Sequence, residues 1–331
     1  MASSSVADRE PPAIITNGVA PPLRASRLPW HLRAPIFIVL SIFIRTTLLS
    51  ISADFLGEEL GKVSRTQDDL ARPFAHLASK VVLLWLGWQA NYDFIDITAL
   101  TVITNTPFAY LLLTYYDVSL NTIAAQVVIE IISIALPTYL LRPRSAVHNP
   151  NAPLRDRFLL NSFQVQWTTA LLAITSYVVV FYVGQKSQWL NTFLVTHFTT
   201  IPTLEPSHNE TAISLVLKTF AAGIAAREFL LNPSIGARTA SGSTTPVEQF
   251  DPATATLPAT LKHNFWFFSG RTKILIRQTT VLTAFLFANT VQRVLTINGT
   301  DFAGAAGYAA WWIAATLITA GWWTWVGDID S

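Results

Sequence analysis

Glu130 is a lone carboxyl group near the middle of an apolar run, Gln126 to Ser133. An ionised carboxylate in such a run costs several kcal/mol or more unless it is paired or wetted, so Glu130 is expected to be protonated or buried against a partner. A protonated carboxyl in an apolar pocket is a competent general acid, which makes Glu130 the first candidate for proton donation; a structural bond between helices is the alternative. Asp93 and Asp96 lie in the stretch Trp88 to Asp96. Their spacing of three puts both carboxyls on one face of a helix, where they can share a proton or bind a divalent cation, although a helix boundary would be polar in any case. Asp117 is a further candidate acid. Around these groups stand Trp85, Trp88, Tyr92 and Tyr115, whose ring faces can stabilise a carbocation. Gln278, Asn289 and Gln292 are amides on one helical face that can bind a substrate or join helices. A cavity with one carboxylic acid and many rings suits cation-driven cyclisation of a polyprenyl chain, in which an acid protonates an alkene or epoxide. Such chemistry requires no metal and no organic cofactor.

The elements that must position these groups are long and apolar. Of 331 residues, 51% are hydrophobic and only 13% charged, about half the charge of a soluble domain. A net charge of +2 argues against a nucleic-acid partner, and the absence of cysteine removes disulfides, thiol catalysis and Cys-ligated metals. The bilayer is the expected surrounding. Apolar spans are expected at about Pro35–Ala53, Ile97–Tyr115, Thr122–Leu141, Phe158–Val183, Ala212–Leu231, Ile274–Leu295 and Ala303–Val326, with a more ambiguous one at Ala75–Ala90 that includes Lys80. Counting that stretch gives about eight transmembrane helices, and only this count puts the basic groups at Arg24–Arg33, Arg142–Arg157 and Arg238–Lys273 on one side. The same count puts the glycosylation sequons at Asn209 and Asn298 on the other side. The expected fold is therefore an all-α polytopic membrane helix bundle over residues 34–331 in a secretory-pathway membrane such as the endoplasmic reticulum, with both termini cytosolic. Residues 1–33 read as a disordered cytosolic tail and 232–273 as a flexible cytosolic loop.

The span plan, the stretch Thr104 to Asp117 (ThrAsnThrProPheAlaTyrLeuLeuLeuThrTyrTyrAsp) and Phe287 to Arg293 (PheAlaAsnThrValGlnArg) resemble the fungal integral-membrane terpene cyclases of ascochlorin-type and macrophorin-type meroterpenoid pathways. The resemblance implies cyclisation of a linear farnesyl-type chain on a hydrophobic prenylated aromatic substrate. It assigns no catalytic residue, so the site residues above rest on their own chemistry. Two other readings compete. A UbiA-type prenyltransferase would need a second Asp-rich motif, and the loops after Leu141 and Leu231 offer only Asp156, Glu248 and Asp251. A transporter or non-catalytic lipid-binding protein would use Glu130 and Arg45 for coupling or packing, but no inverted repeat is present.

Overall fold

A computed structural model describes residues 29–65, 71–152, 154, 157–236, 256–257 and 270–328. The N-terminal tail and most of the 232–273 connection lie outside the described residues. The chain forms α1 (Trp30–Ile51), α2 (Ala53–Val63), α3 (Ala71–Gln89), α4 (Phe94–Tyr115), α5 (Leu120–Leu141), α6 (Arg157–Asn161), α7 (Phe163–Lys186), α8 (Trp189–His197), α9 (Glu205–His208), α10 (Ala212–Ala226), α11 (Asn232–Ile235), α12 (Gly270–Val294) and α13 (Phe302–Asp328). A π-helical turn, Arg227–Leu231, joins α10 to α11 as one rod. The described residues contain no strand, only two isolated bridges.

Polar residues start the helices where the chain leaves the apolar runs. Ser119, Ser162 and Thr211 cap α5, α7 and α10 by accepting from the N–H groups of Thr122, Val165 and Ser214. Asp93 caps α4 in a reciprocal capping box with Asp96. Among the described residues six helices, α1, α4, α5, α7, α12 and α13, are long and apolar enough to cross a membrane. Exposed Val39, Phe43, Val128, Leu171 and Leu317 show that much of their outer surface is apolar, as a lipid-facing surface must be.

The connections gather at two ends. At one, Arg142 donates to the carbonyls of Trp88 and Tyr92 (2.8 and 3.0 Å), and Ser234 Oγ donates to Arg271 O. Arg144 and Arg157 lie between α5 and α7, and Lys273 lies in the first turn of α12, so this is the basic end. At the other, Asn298 N donates to Val63 O (3.0 Å), Thr199 N to Gly299 O (3.0 Å) and Ser119 N to Glu59 Oε2 (2.8 Å). The α3 helix runs between these ends, because its His76 carbonyl meets Gln292 near the second end and its Trp88 carbonyl meets Arg142 at the first. The α10 rod does the same, from Thr211 to the Ser234 contact.

Helix α4 is the hub, packed on α5, α10 and α12, with 78% of its apolar window buried. Beyond it, α7 and α13 enclose a solid aromatic core in which Phe181 and Trp312 stack at 4.4 Å and Tyr110 accepts from Gln185 Nε2 at 2.7 Å. The other side is looser. Helix α1 has only 11% of its window buried, and among the described residues α3 packs most closely on α1, with Gln292 of α12 donating to its His76 carbonyl (2.9 Å) and a cavity lying between α3 and the pair α4 and α12.

Candidate functional site

Glu130 stands midway along α5 and is 1% exposed. Its Oε1 accepts from Arg45 Nε of α1 (2.9 Å) and Arg293 Nη2 of α12 (2.6 Å), and its Oε2 accepts from Lys80 Nζ of α3 (2.7 Å). Of the two outcomes expected for this residue, burial against partners is the one found. Donors engage both oxygens, so Glu130 is an ionised anchor and not the neutral acid its apolar run suggested. Three cations around one carboxylate leave two positive charges without a bonded counter-charge among the described residues.

Those cations face a chamber of about 310 Å³, lined also by His76, Asn289 and Gln292. Lys80 and Asn289 continue into a second, narrower chamber of about 50 Å³, walled by Phe37, Leu84, Ile97, Leu100 and Phe285. Asn289 Nδ2 donates to Thr104 O (2.7 Å), closing the wall between α12 and α4. Lys80 and Asn289 border both chambers, so a cationic chamber adjoins a smaller, mainly apolar one that lies toward the basic end.

A separate cluster sits at the basic end. Asp93 Oδ1 accepts from the N–H groups of Ile95 and Asp96 (2.9 and 3.0 Å), and Oδ2 accepts from Ser145 N (2.9 Å) and bonds His148 Nδ1 (2.8 Å). Burial raises the Asp93 carboxyl, but the His148 hydrogen bond and charge outweigh it and hold Asp93 below the usual carboxylate range. Burial lowers the His148 imidazole, and the bond to Asp93 more than reverses this, so His148 lies above its ordinary value. Asp96 Oδ2 accepts from Asp93 N (3.3 Å), while its buried Oδ1 has no partner and stands 4.0 Å from His148 Nδ1. Ligand atoms of Asp93, Asp96 and His148 lie within 4.8 Å of one another, a donor set compatible with a metal ion. Asp93, however, is saturated by N–H donors, so the arrangement works as a helix cap that clamps the α5–α6 connection onto α4.

No family model, no curated protein and no solved structure matches this chain.

The remaining candidates disperse. Asn289 and Gln292 line the cationic chamber, whereas Gln278 accepts from Tyr92 Oη (2.7 Å) at the basic end. The separation of eleven positions from Gln278 to Asn289 spans about 16 Å of helix, so a shared face is not a shared site. Trp88 stacks on Phe37 (5.1 Å) and lies 4.0 Å under the Arg142 guanidinium. Trp85 is 47% exposed on the outside of α3. Tyr115 Oη bonds Asn191 and Ser207 (3.3 and 3.2 Å), away from the cavity. Asp117 is exposed in the α4–α5 turn with φ +52°, a conformation aspartate tolerates, and is a turn residue. Asn209 and Asn298 are both exposed at the second end. Arg45, Lys80 and Arg293 were visible as charges within apolar runs, but nothing local showed that they meet. His148 had no sequence signal beyond being a histidine in a polar connection.

Proposed function

We propose that this chain is an integral-membrane terpene cyclase of eight spans, with α3 and the α10 rod crossing beside the six longest helices. The observation that carries this reading is the meeting of the two stretches that resemble fungal membrane cyclases: Thr104 and Asn105 of one, and Asn289, Gln292 and Arg293 of the other, share the cavity walls. In this reading the farnesyl-type chain of a prenylated aromatic compound lies in the apolar channel. Its present width is too small for such a chain, and the loosely packed α3 is the element that makes room.

The acid is Asp96. Its buried Oδ1 accepts no hydrogen bond among the described residues and stands 4.0 Å from His148 Nδ1, it precedes the channel-lining Ile97, and Asp93 with His148 stands beside it to return the proton. Glu130 serves by fixing Arg45, Lys80 and Arg293. Proton transfer to an alkene carbon, or to an epoxide oxygen whose C–O bond then breaks to leave a hydroxyl and a carbocation, starts the cyclisation, and loss of a proton from the cyclised cation ends it, so substrate and product have equal mass.

The test uses membranes from a host without related pathways, incubated with a farnesylated phenol, a farnesylated phenolic carboxylic acid and the terminal epoxide of each, with and without EDTA. A cyclised product of unchanged mass, insensitive to EDTA, is expected; no conversion of any of these compounds would refute the cyclase reading. A second reading, binding of an amphiphile without chemistry, is favoured by one fact: among the described residues, none that lines the two chambers is a carboxylic acid.

A further inference from the structure

The cations around Glu130 exceed the charge they are bonded to. Arg45, Lys80 and Arg293 come from three different helices, and their side chains are 34%, 17% and 12% exposed. Cations held this deep in an apolar bundle call for compensation, and only one of the three charges is matched by Glu130 among the described residues. The unmatched charge faces a chamber of about 310 Å³. Asn289, Gln292 and His76 complete its polar wall, and Gln292 and Asn289 each spend an amide hydrogen on a backbone carbonyl, which fixes them in place. Beyond Lys80 the lining becomes mainly apolar, with Thr101, Thr104 and Asn105 as further polar members. A site with this sequence of surfaces, guanidinium and ammonium donors first and a hydrocarbon channel behind them, is complementary to an oxyanion carried on an apolar chain.

We infer that Arg45, Lys80 and Arg293 form a binding site for the ionised head group of an acidic amphiphile whose hydrocarbon chain enters the channel between α3 and α4. This rests on the cyclase reading for the identity of the amphiphile as substrate, and it adds that the enzyme selects substrates by charge at the end remote from the reacting carbons. Two sources supply such an oxyanion: an acidic prenylated substrate and an anionic lipid of the bilayer. The inference commits to the first.

Farnesoate and its neutral methyl ester are suitable probes, because they differ only in the charge of the head. Their binding would be measured with the full chain in nanodiscs of phosphatidylcholine and again in nanodiscs containing phosphatidate. In phosphatidylcholine, farnesoate should bind at least about tenfold more tightly than the ester, the difference expected when a charge-assisted hydrogen bond is made by one ligand and not the other. Arg45→Gln and Arg293→Gln should each abolish most of that preference by weakening farnesoate far more than the ester, and Arg45→Lys should restore part of it. Glu130→Gln, which frees a further positive charge, should bind farnesoate more tightly than the natural chain does. If Glu130→Gln does not fold, the Arg45 pair of variants still decides, since Arg45 is the most accessible of the three. Equal binding of acid and ester, or a preference that survives both arginine variants, would overturn the inference. Loss of the preference in phosphatidate nanodiscs would also overturn it, by showing that a membrane lipid holds the site. A retained preference without any cyclised product would leave the head-group site standing while refuting the cyclase.

Discussion

Glu130 is bound by donors from three helices that lie 85, 50 and 163 residues away in the chain. Removing one partner from a buried ion pair typically costs about 3–5 kcal/mol, because the remaining charge is left uncompensated. Glu130→Ala should therefore lower the thermal midpoint and the yield of folded protein sharply. Glu130→Gln keeps a hydrogen-bond acceptor and should lose less, with farnesoate raising its thermal midpoint more than that of the natural chain. Equal stability of the alanine variant and the natural chain, in the same detergent, would show that the cluster is not a structural anchor. Asp96→Asn has a different signature: folding close to normal and turnover lower by about 100-fold or more, the range a general acid contributes. Normal turnover in that variant would remove Asp96 from the mechanism. The polar character of Glu130 was legible in the sequence because it interrupts an apolar run. Its partners were not, since type and local spacing do not say which faces of distant helices meet. The same limit explains Trp85 and Tyr115, whose ring chemistry suited a cation site but whose helix positions direct them outward and toward the second end.

The apolar runs made the helices themselves readable, with ends displaced by a few residues where caps and turns take over. Helix α3 was the ambiguous one. Its 19 residues are enough to cross about 28 Å, yet Lys80 and His76 dilute its apolar character because they line the cationic chamber. Gly87 of α3 offers a test of the channel. A Cβ added there meets Ile97 Cδ1 at 3.5 Å, an ordinary contact, so Gly87→Ala should be tolerated. Gly87→Phe should fill the channel and abolish turnover while leaving the protein folded; full activity in the phenylalanine variant would place the substrate elsewhere. The clamp between α4 and the α5–α6 connection has its own pH signature. His148 titrates higher in the folded chain than its ordinary 6.5, so its stabilising contribution is complete below that value and is lost as pH rises through the folded value. Asp93 titrates lower than its ordinary 3.8, so its contribution is present above that value and is lost only on strong acidification. Thermal stability should thus fall on moving from neutral to alkaline pH, and His148→Gln should flatten that limb. An unchanged limb would assign the dependence to other groups.

For the whole molecule, charge and sequons make one prediction. The basic connections lie at one end and exposed Asn209 and Asn298 at the other, the arrangement expected when the basic end faces the cytosol and the other end faces a lumen. Expression in a eukaryotic host should give glycan-dependent mobility shifts that disappear in Asn209→Gln and Asn298→Gln, whereas glycosylation of sequons engineered at the basic end would reverse the orientation. The general plan of a helical membrane protein was legible from composition and patterning alone, because a bilayer constrains length and polarity so strongly. The cavity was not, because it depends on α3 standing away from α4 and α12, a consequence of packing among distant segments. Photolabelling would test that cavity most directly as the working site. A farnesyl phenol with a diazirine on its terminal isoprene unit would be irradiated with the protein in nanodiscs and the labelled peptides identified. Labels on residues 83–87 of α3 and 97–105 of α4, suppressed by unlabelled substrate, are the predicted result; labels confined to lipid-facing surfaces or to the groove between α4 and α10 would contradict it.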